Sequence, residues 1–196
     1  PISDNYFTYD QTVASVQAVK GGTAATLASN APSGIINFVS KTGEEEGGTL
    51  VYTTGLDYDS NRLDFAYGSP VGDDWSFHVG GFYRVGEGVR PTGYNADKGG
   101  QIKITVARKF ENGDARIYFK SLDDQTATIL PMPLTLSNDA LPGLDPRFAS
   151  NIPAALTNNQ SNSGDGGIRE SNVQDGNKAQ SNVLGGTFSF DFDRSE

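Results

Sequence analysis

The chain has 196 residues with 15 basic and 24 acidic side chains, a formal net charge of −9 and no cysteine. The acidic balance argues against bulk nucleic-acid binding, and the lack of cysteine excludes a disulfide framework and any Cys-ligated zinc or iron–sulfur centre. With 24 glycines and 10% aromatic residues the composition points to β structure. No window approaches the ~20 apolar residues of a membrane helix, which leaves open a strand crossing of ~9–11 residues.

In chain order, Val13 to Val19 is expected as a short strand stopped by Gly21-Gly22, with one helical turn capped by Thr23 after it. Ala31-Pro32-Ser33-Gly34 is a turn and Ile35 to Val39 a second strand. Glu44-Glu45-Glu46-Gly47-Gly48 is a charged linker and the boundary between two parts.

From Gly48 the pattern becomes strict alternation. Leu50, Tyr52, Thr54, Leu56 and Tyr58 share one face. So do Leu63, Phe65 and Tyr67, then Trp75, Phe77, Val79, Gly81, Tyr83 and Val85. Ile102, Ile104 and Val106 follow, then Ala115, Ile117 and Phe119, and finally Leu184, Gly186, Phe188, Phe190 and Phe192. The opposite faces carry Arg62, Asp64, His78, Arg84, Lys103, Lys109, Arg116, Lys120, Asp191 and Asp193, and in the Trp75–Val85 segment Phe82 is the exception. Six segments of period two are strands, because successive side chains of a strand point to opposite faces.

The connections alternate, and the first, Asp57 to Asn61, is short. Pro70 to Asp74 and Glu111 to Asp114 are tight turns of residues that tolerate positive φ. Gly86–Gly100 is longer, and Gln125–Asn182 is very long and rich in Asn, Ser, Gly and Asp. Short turns on one side and long loops on the other suit an outer-membrane barrel. An unpaired Lys or Arg at mid-depth costs ~2–4 kcal/mol in lipid, so the charged faces must line a wet lumen. Trp75 and Phe110 beside the short turns, with Tyr58 and Tyr83 at the other end, suit an aromatic girdle. A soluble sandwich explains the alternation equally well, but neither the loop sidedness nor the aromatic ends. Six strands cannot close a membrane barrel, so the chain is expected to be the front part of a longer polypeptide or to assemble with copies of itself.

The stretch Val16 to Leu27, followed by Asn30 to Lys41, resembles the end of the plug domain of TonB-dependent outer-membrane receptors. Gly21, Pro32, Gly34, Ile36, Asn37 and Lys41 fit that family's pattern, and Lys20 stands where it usually has Arg. Gly22 replaces its usual Pro and Leu27-Ala28 its usual Tyr-Gly. The first hairpins, with Gly68 to Asp73 at the first turn, also look like the family's first barrel strands. The resemblance covers roughly residues 10–123 and 183–193. It implies a mostly β chain: the C-terminal part of a plug (1–43), a linker (44–48), and about six antiparallel strands (49–196) of a roughly 22-stranded transmembrane barrel.

It further implies energy-coupled uptake of a scarce ligand across the outer membrane of a Gram-negative cell. An iron–siderophore complex is the first expectation, and a carbohydrate or cobalamin comes next. Partners are then outer-membrane lipid and lipopolysaccharide, the ligand, and the TonB complex, whose contact segment belongs to a part of the family's N-terminus not present here. No cofactor, no catalytic set and no nucleic acid are implied.

Ligand contacts are expected at Asn5 and Tyr6, ahead of the first strand, and at Arg90 and Tyr94 in the long loop, since Arg and Tyr suit hydrogen bonding and stacking. His78, the single histidine, is expected as a lumen residue touching the plug rather than as a metal ligand. Gly86 to Gly93 superficially resembles a phosphate loop, but its spacing is wrong and no helix follows. Glu44–Glu46 and Ser163–Gly167 are expected as a solvated linker and a flexible loop rather than calcium sites. The competing reading is a non-transporting secreted or surface binding module, an adhesin or glycan binder. A barrel enzyme ranks last, for want of a nucleophile–base set.

Overall fold

A computed structural model of the chain describes residues 8–20, 34–89, 92–126, 136–137 and 176–191. The described residues form eight strands and no helix. β1 (Val13–Lys20) and β2 (Gly34–Ser40) pair as an antiparallel hairpin. β3 (Gly47–Thr54), β4 (Ser60–Val71), β5 (Trp75–Gly86), β6 (Asp97–Phe110), β7 (Gly113–Thr126) and β8 (Asn177–Phe190) form one six-stranded antiparallel sheet in sequence order.

The registers join the alternating segments into two continuous faces. One row across the sheet runs Tyr67, Val79, Ile104, Phe119, Leu184. The row on the other face runs Ala66, Gly80, Lys103, Lys120, Val183. A strand whose side chains alternate admits no one-residue slip without exchanging these faces, and the tight turns settle the choice among the even-numbered registers that remain.

Burial on this sheet is inverted relative to a soluble sandwich. On the apolar face Leu50 is 73% and Ile104 41% exposed, and Tyr67, Ile102, Val106, Ile117, Phe119 and Leu184 are exposed as well. On the polar face Asp64, Ser76, His78, Gln101, Thr105 and Asp124 are buried. The buried hydrophobic residues are few: Ala66, Phe82, Ala96, Leu122 and Ala179. Phe82, the exception to the alternation, is 2% exposed and lies beneath the Arg62 guanidinium, 4.1 Å from ring centre to Cζ. A ring on a charged face is stable there because a cation caps it.

Several boundaries differ from the sequence expectation: β6 begins at Asp97, inside the expected Gly86–Gly100 loop, β4 runs to Val71, inside the expected Pro70–Asp74 turn, and three further places differ more. The first strand of the sheet ends at Thr54, not Tyr58. The Tyr52 and Thr54 hydroxyls both donate to Asn61 Oδ1, and Gly55 N donates to Ser60 O at 2.8 Å, so the chain turns four residues early. At the long connection β7 runs to Thr126 and β8 begins at Asn177, so pairing extends into the stretch expected as loop. The pairs there are polar, Asp123 with Gln180 and Gln125 with Lys178, so hydropathy gives no strand signal. At the charged linker, β3 begins at Gly47, within the segment expected to be flexible. The helical turn expected at Thr23 lies outside the described residues.

Candidate functional site

The hairpin lies against the polar face of the sheet, and a polar network joins them. It starts at Asp10, which is 1% exposed. Asp10 Oδ1 accepts from Thr12 N at 2.9 Å and from Thr12 Oγ1 at 2.5 Å, a local turn that starts β1. Asp10 Oδ2 accepts from Gln101 Nε2 on β6 at 2.5 Å. Arg62, Lys103, Lys120 and His78 all lie within electrostatic reach of this carboxylate. A buried carboxylate is tolerable here because donors occupy both oxygens and cations surround it.

Arg62 forks onto Asp64, with Nε and Nη2 donating at 2.7 and 2.6 Å, and Nη2 also donates to Tyr9 O at 2.9 Å. Lys103 donates to Ser40 Oγ at the end of β2. Its ammonium lies 5.0 Å from the Tyr118 ring centre. Lys103 and Lys120 are directly opposed in the ladder, an arrangement that like charges alone disfavour. The hydroxyl and the ring offset it for Lys103. Farther along, Lys109 donates to Glu44 Oε2 at 2.5 Å. That hydrogen bond, more than the pair's Coulomb attraction, holds the Glu44 carboxyl below its ordinary range against a small desolvation penalty.

Steric fit accompanies the polar pins. An added Cβ at Gly80 would sit 2.9 Å from Thr12 Cγ2 and 2.9 Å from Phe65 O, so the absent side chain is what lets the hairpin seat. Gly43 has φ +81° and its added Cβ would lie 1.8 Å from Phe77 O, so the link from hairpin to sheet requires glycine twice over. Between hairpin and sheet remains a cavity of about 510 Å³ whose charged lining is Asp10, Lys103, Arg116 and Lys120. Among the described residues no group of three or more His, Asp or Glu side chains is placed to hold a metal ion.

Of the residues singled out in the sequence, Lys20, Gly34, Asn37 and Lys41 fall in or beside the hairpin. Gly34 has φ +141° and pairs with Lys20. Asn37 donates to Gln17 Oε1 across the hairpin at 3.1 Å, and Lys41 N donates to Thr12 O at 2.9 Å. Gly21 and Pro32 lie outside the described residues, as do Asn5, Tyr6, Arg90 and the Ser163–Gly167 segment.

Tyr94 lies at the opposite end of the sheet from the tight turns, in the β5–β6 connection, where Thr92 Oγ1 donates to Tyr94 O at 2.6 Å. There Glu87 Oε2 accepts from Thr92 N and Gly93 N at 2.8 and 3.1 Å. Two backbone donors of the glycine-rich segment thus go to its own carboxylate, and a third, Gly88 N, goes to Asp59 O at 2.9 Å. His78 is 4% exposed on the polar face and shares a cleft with Ala14, Lys41 and Gly68. Arg84 instead forks onto Asp124 at 2.9 and 2.7 Å.

Sequence reasoning missed Asp10, Gln101 and Gly80. Asp10 was legible as an Asx turn two residues before Thr12, ahead of the first strand. Gln101 and Gly80 carry no local signal, because their partners lie 91 and 68 residues away (101 − 10 and 80 − 12).

Compared with known families and proteins, the chain matches no family model, no curated protein and no solved structure.

Proposed function

We propose that the chain forms part of the wall of an outer-membrane β-barrel with its own N-terminal hairpin seated on the lumen side, and that the barrel is a TonB-dependent transporter. The observation that carries the membrane part is the inverted sheet. On the apolar face of β3–β8 charged side chains occur only at Lys98, Asp123 and Lys178 toward one end and at Arg108 toward the other. On β6 the two limits are ten residues apart (108 − 98), about 33 Å along a strand. At a tilt of about 40° this gives a height near 25 Å, that of the apolar band of such barrels. The sheet edges β3 and β8 have no neighbour among the described residues, and in lipid those backbone groups need further strands.

The transporter part rests on the sequence resemblance of residues 10–123, together with the seating of the hairpin on the charged face. A wide wet lumen needs a stopper, and ion pairs with exposed rims permit one to be held and released. An iron–siderophore complex remains the first cargo, with a carbohydrate or cobalamin as the other classes, bound from the long-loop side.

Ile104→Arg tests the membrane part. With the protein folded into phospholipid vesicles, the substitution is expected to lower unfolding free energy in urea by about 2–4 kcal/mol. A change within about 0.5 kcal/mol, as for an ordinary wet surface, overturns the reading and favours the secreted binding module. Uptake of labelled ferric siderophore by iron-starved cells tests the cargo: uptake that survives deletion of the gene removes iron from the proposal.

A further inference from the structure

Within β3–β8, Arg108 is the one charged side chain at the tight-turn end of the apolar face; Glu46, just ahead of β3, accepts from Tyr67 OH there at 3.3 Å. Its register partners are Trp75 on β5 and Ala115 on β7, with Phe188 beyond on β8. The guanidinium carbon lies 5.1 Å from the Trp75 ring centre and 4.9 Å from that of Phe110, whose ring meets Phe190 at 5.7 Å. Arg108 Nε is buried without a hydrogen-bond partner, and no ion pair to Arg108 occurs among the described residues. Acids are close at hand: Asp73, Asp74, Asp114 and Glu44 line the adjoining surface. Yet Glu44 goes to Lys109, the next residue, which points to the polar side. The two aromatic rings flank the planar cation on the outward side; Nε is shut off between them, and Nη1 and Nη2, which have no hydrogen bond to a described residue, are the donors left for a ligand.

We propose that Arg108, with Trp75 and Phe110, binds the phosphate of a glycerophospholipid, its acyl chains lying along Phe77, Val106 and Ile117. The proposal rests on the membrane reading above and adds a specific lipid site to it. Its chemistry is fork-like donation to phosphate oxygens from a guanidinium that the rings keep at the boundary between hydrocarbon and water. The apolar rows next to Arg108 supply the chain contacts, and their charge-free height places this end at headgroup level.

Trp75 is the single tryptophan, so its fluorescence reads this site alone. The protein is folded into vesicles doped with brominated phosphatidylethanolamine or with brominated diacylglycerol, which lacks the phosphate. The phospholipid is expected to reach half-maximal quenching at an about fivefold lower mole fraction. Arg108→Gln is expected to erase that difference, Arg108→Lys to keep part of it, and Lys109→Gln to leave it intact. Equal quenching by both lipids in the unaltered protein overturns the site and leaves the membrane reading standing. Absence of quenching by either lipid overturns the membrane reading and the site with it. Relief of phospholipid quenching by tens of millimolar inorganic phosphate identifies a free-anion site and overturns the lipid assignment.

Discussion

Asp10→Ala should loosen the hairpin without loosening the sheet. The magnitude follows from which of the carboxylate's bonds cross between them. The two from Thr12 are local and persist when the hairpin lifts away, so they cancel. The one from Gln101 is lost on lifting, and a hydrogen bond to a charged group contributes ~1.5–3 kcal/mol. Attraction to Arg62, Lys103 and Lys120 adds to it, and desolvation of the buried carboxylate offsets much of that addition. A net loss of about 2–3 kcal/mol corresponds to roughly 30- to 150-fold faster amide exchange in β1 and β2. Asp10→Asn retains an acceptor for Thr12, and Gln101 can rotate its amide to meet the new NH2, so about a tenfold acceleration is expected there. The assay is hydrogen exchange by mass spectrometry on the whole chain in lipid, with peptides from β5 and β6 as internal reference. Exchange in β1 and β2 that stays within about twofold of the unaltered protein, or that rises equally in β5 and β6, refutes Asp10 as the pin.

Two further outcomes follow from the same interface. Gly80→Val should cost about 1–3 kcal/mol by overpacking, measured as a lower urea midpoint. Part of that cost should vanish in a Thr12→Ser background, which removes Cγ2 and keeps the hydroxyl; equal costs in both backgrounds would contradict the contact. Glu44 has a folded-state pKa below its ordinary value of 4.5, so its contribution is present in full above that value. It is lost as pH falls through the depressed one. Both partners are more than half exposed, so it amounts to less than about 1 kcal/mol. Protection at residues 41–46, taken relative to the intrinsic exchange rate at each pH, should therefore fall below about pH 4.5, and Glu44→Gln should abolish that pH dependence. A variant with the same acid response as the parent would show that another group is responsible.

The six strands of the sheet were legible in the sequence because each alternates, and once the faces are fixed the registers of Ile104 with Phe119 or Phe65 with Gly81 follow. The hairpin strands were placed to within a residue at either end. What escaped is what depends on distant partners or on polar pairing. The outer ends of β7 and β8 pair Asp, Gln and Lys, whose hydropathy is that of a loop. The early turn at Thr54 is set by Asn61, which no alternation pattern weighs. The charged faces were read as wet as a set, but not the assignment of Arg62 to Asp64, Arg84 to Asp124 and Lys103 to Ser40. Those choices depend on how the hairpin seats, and that in turn depends on glycine 80, which looks in sequence like any other glycine in a strand.

The contacts that hold the hairpin also set an order of events. Tyr9 meets Arg62, Ser40 meets Lys103, Glu44 meets Lys109 and Asp10 meets Gln101, across separations of 53, 63, 65 and 91 residues. Every backbone pairing within the sheet up to β7 is instead between strands adjacent in the chain. Closing a loop of some 90 residues carries an entropic cost of about 4 kcal/mol before any bond forms, whereas the meander connections from β3 to β7 span two to ten residues. The ribbon from β3 to β6 therefore zips up first, and the chain's opening segment waits beside it as a late passenger. Its berth does not exist until Gln101 and Lys103 have been laid down.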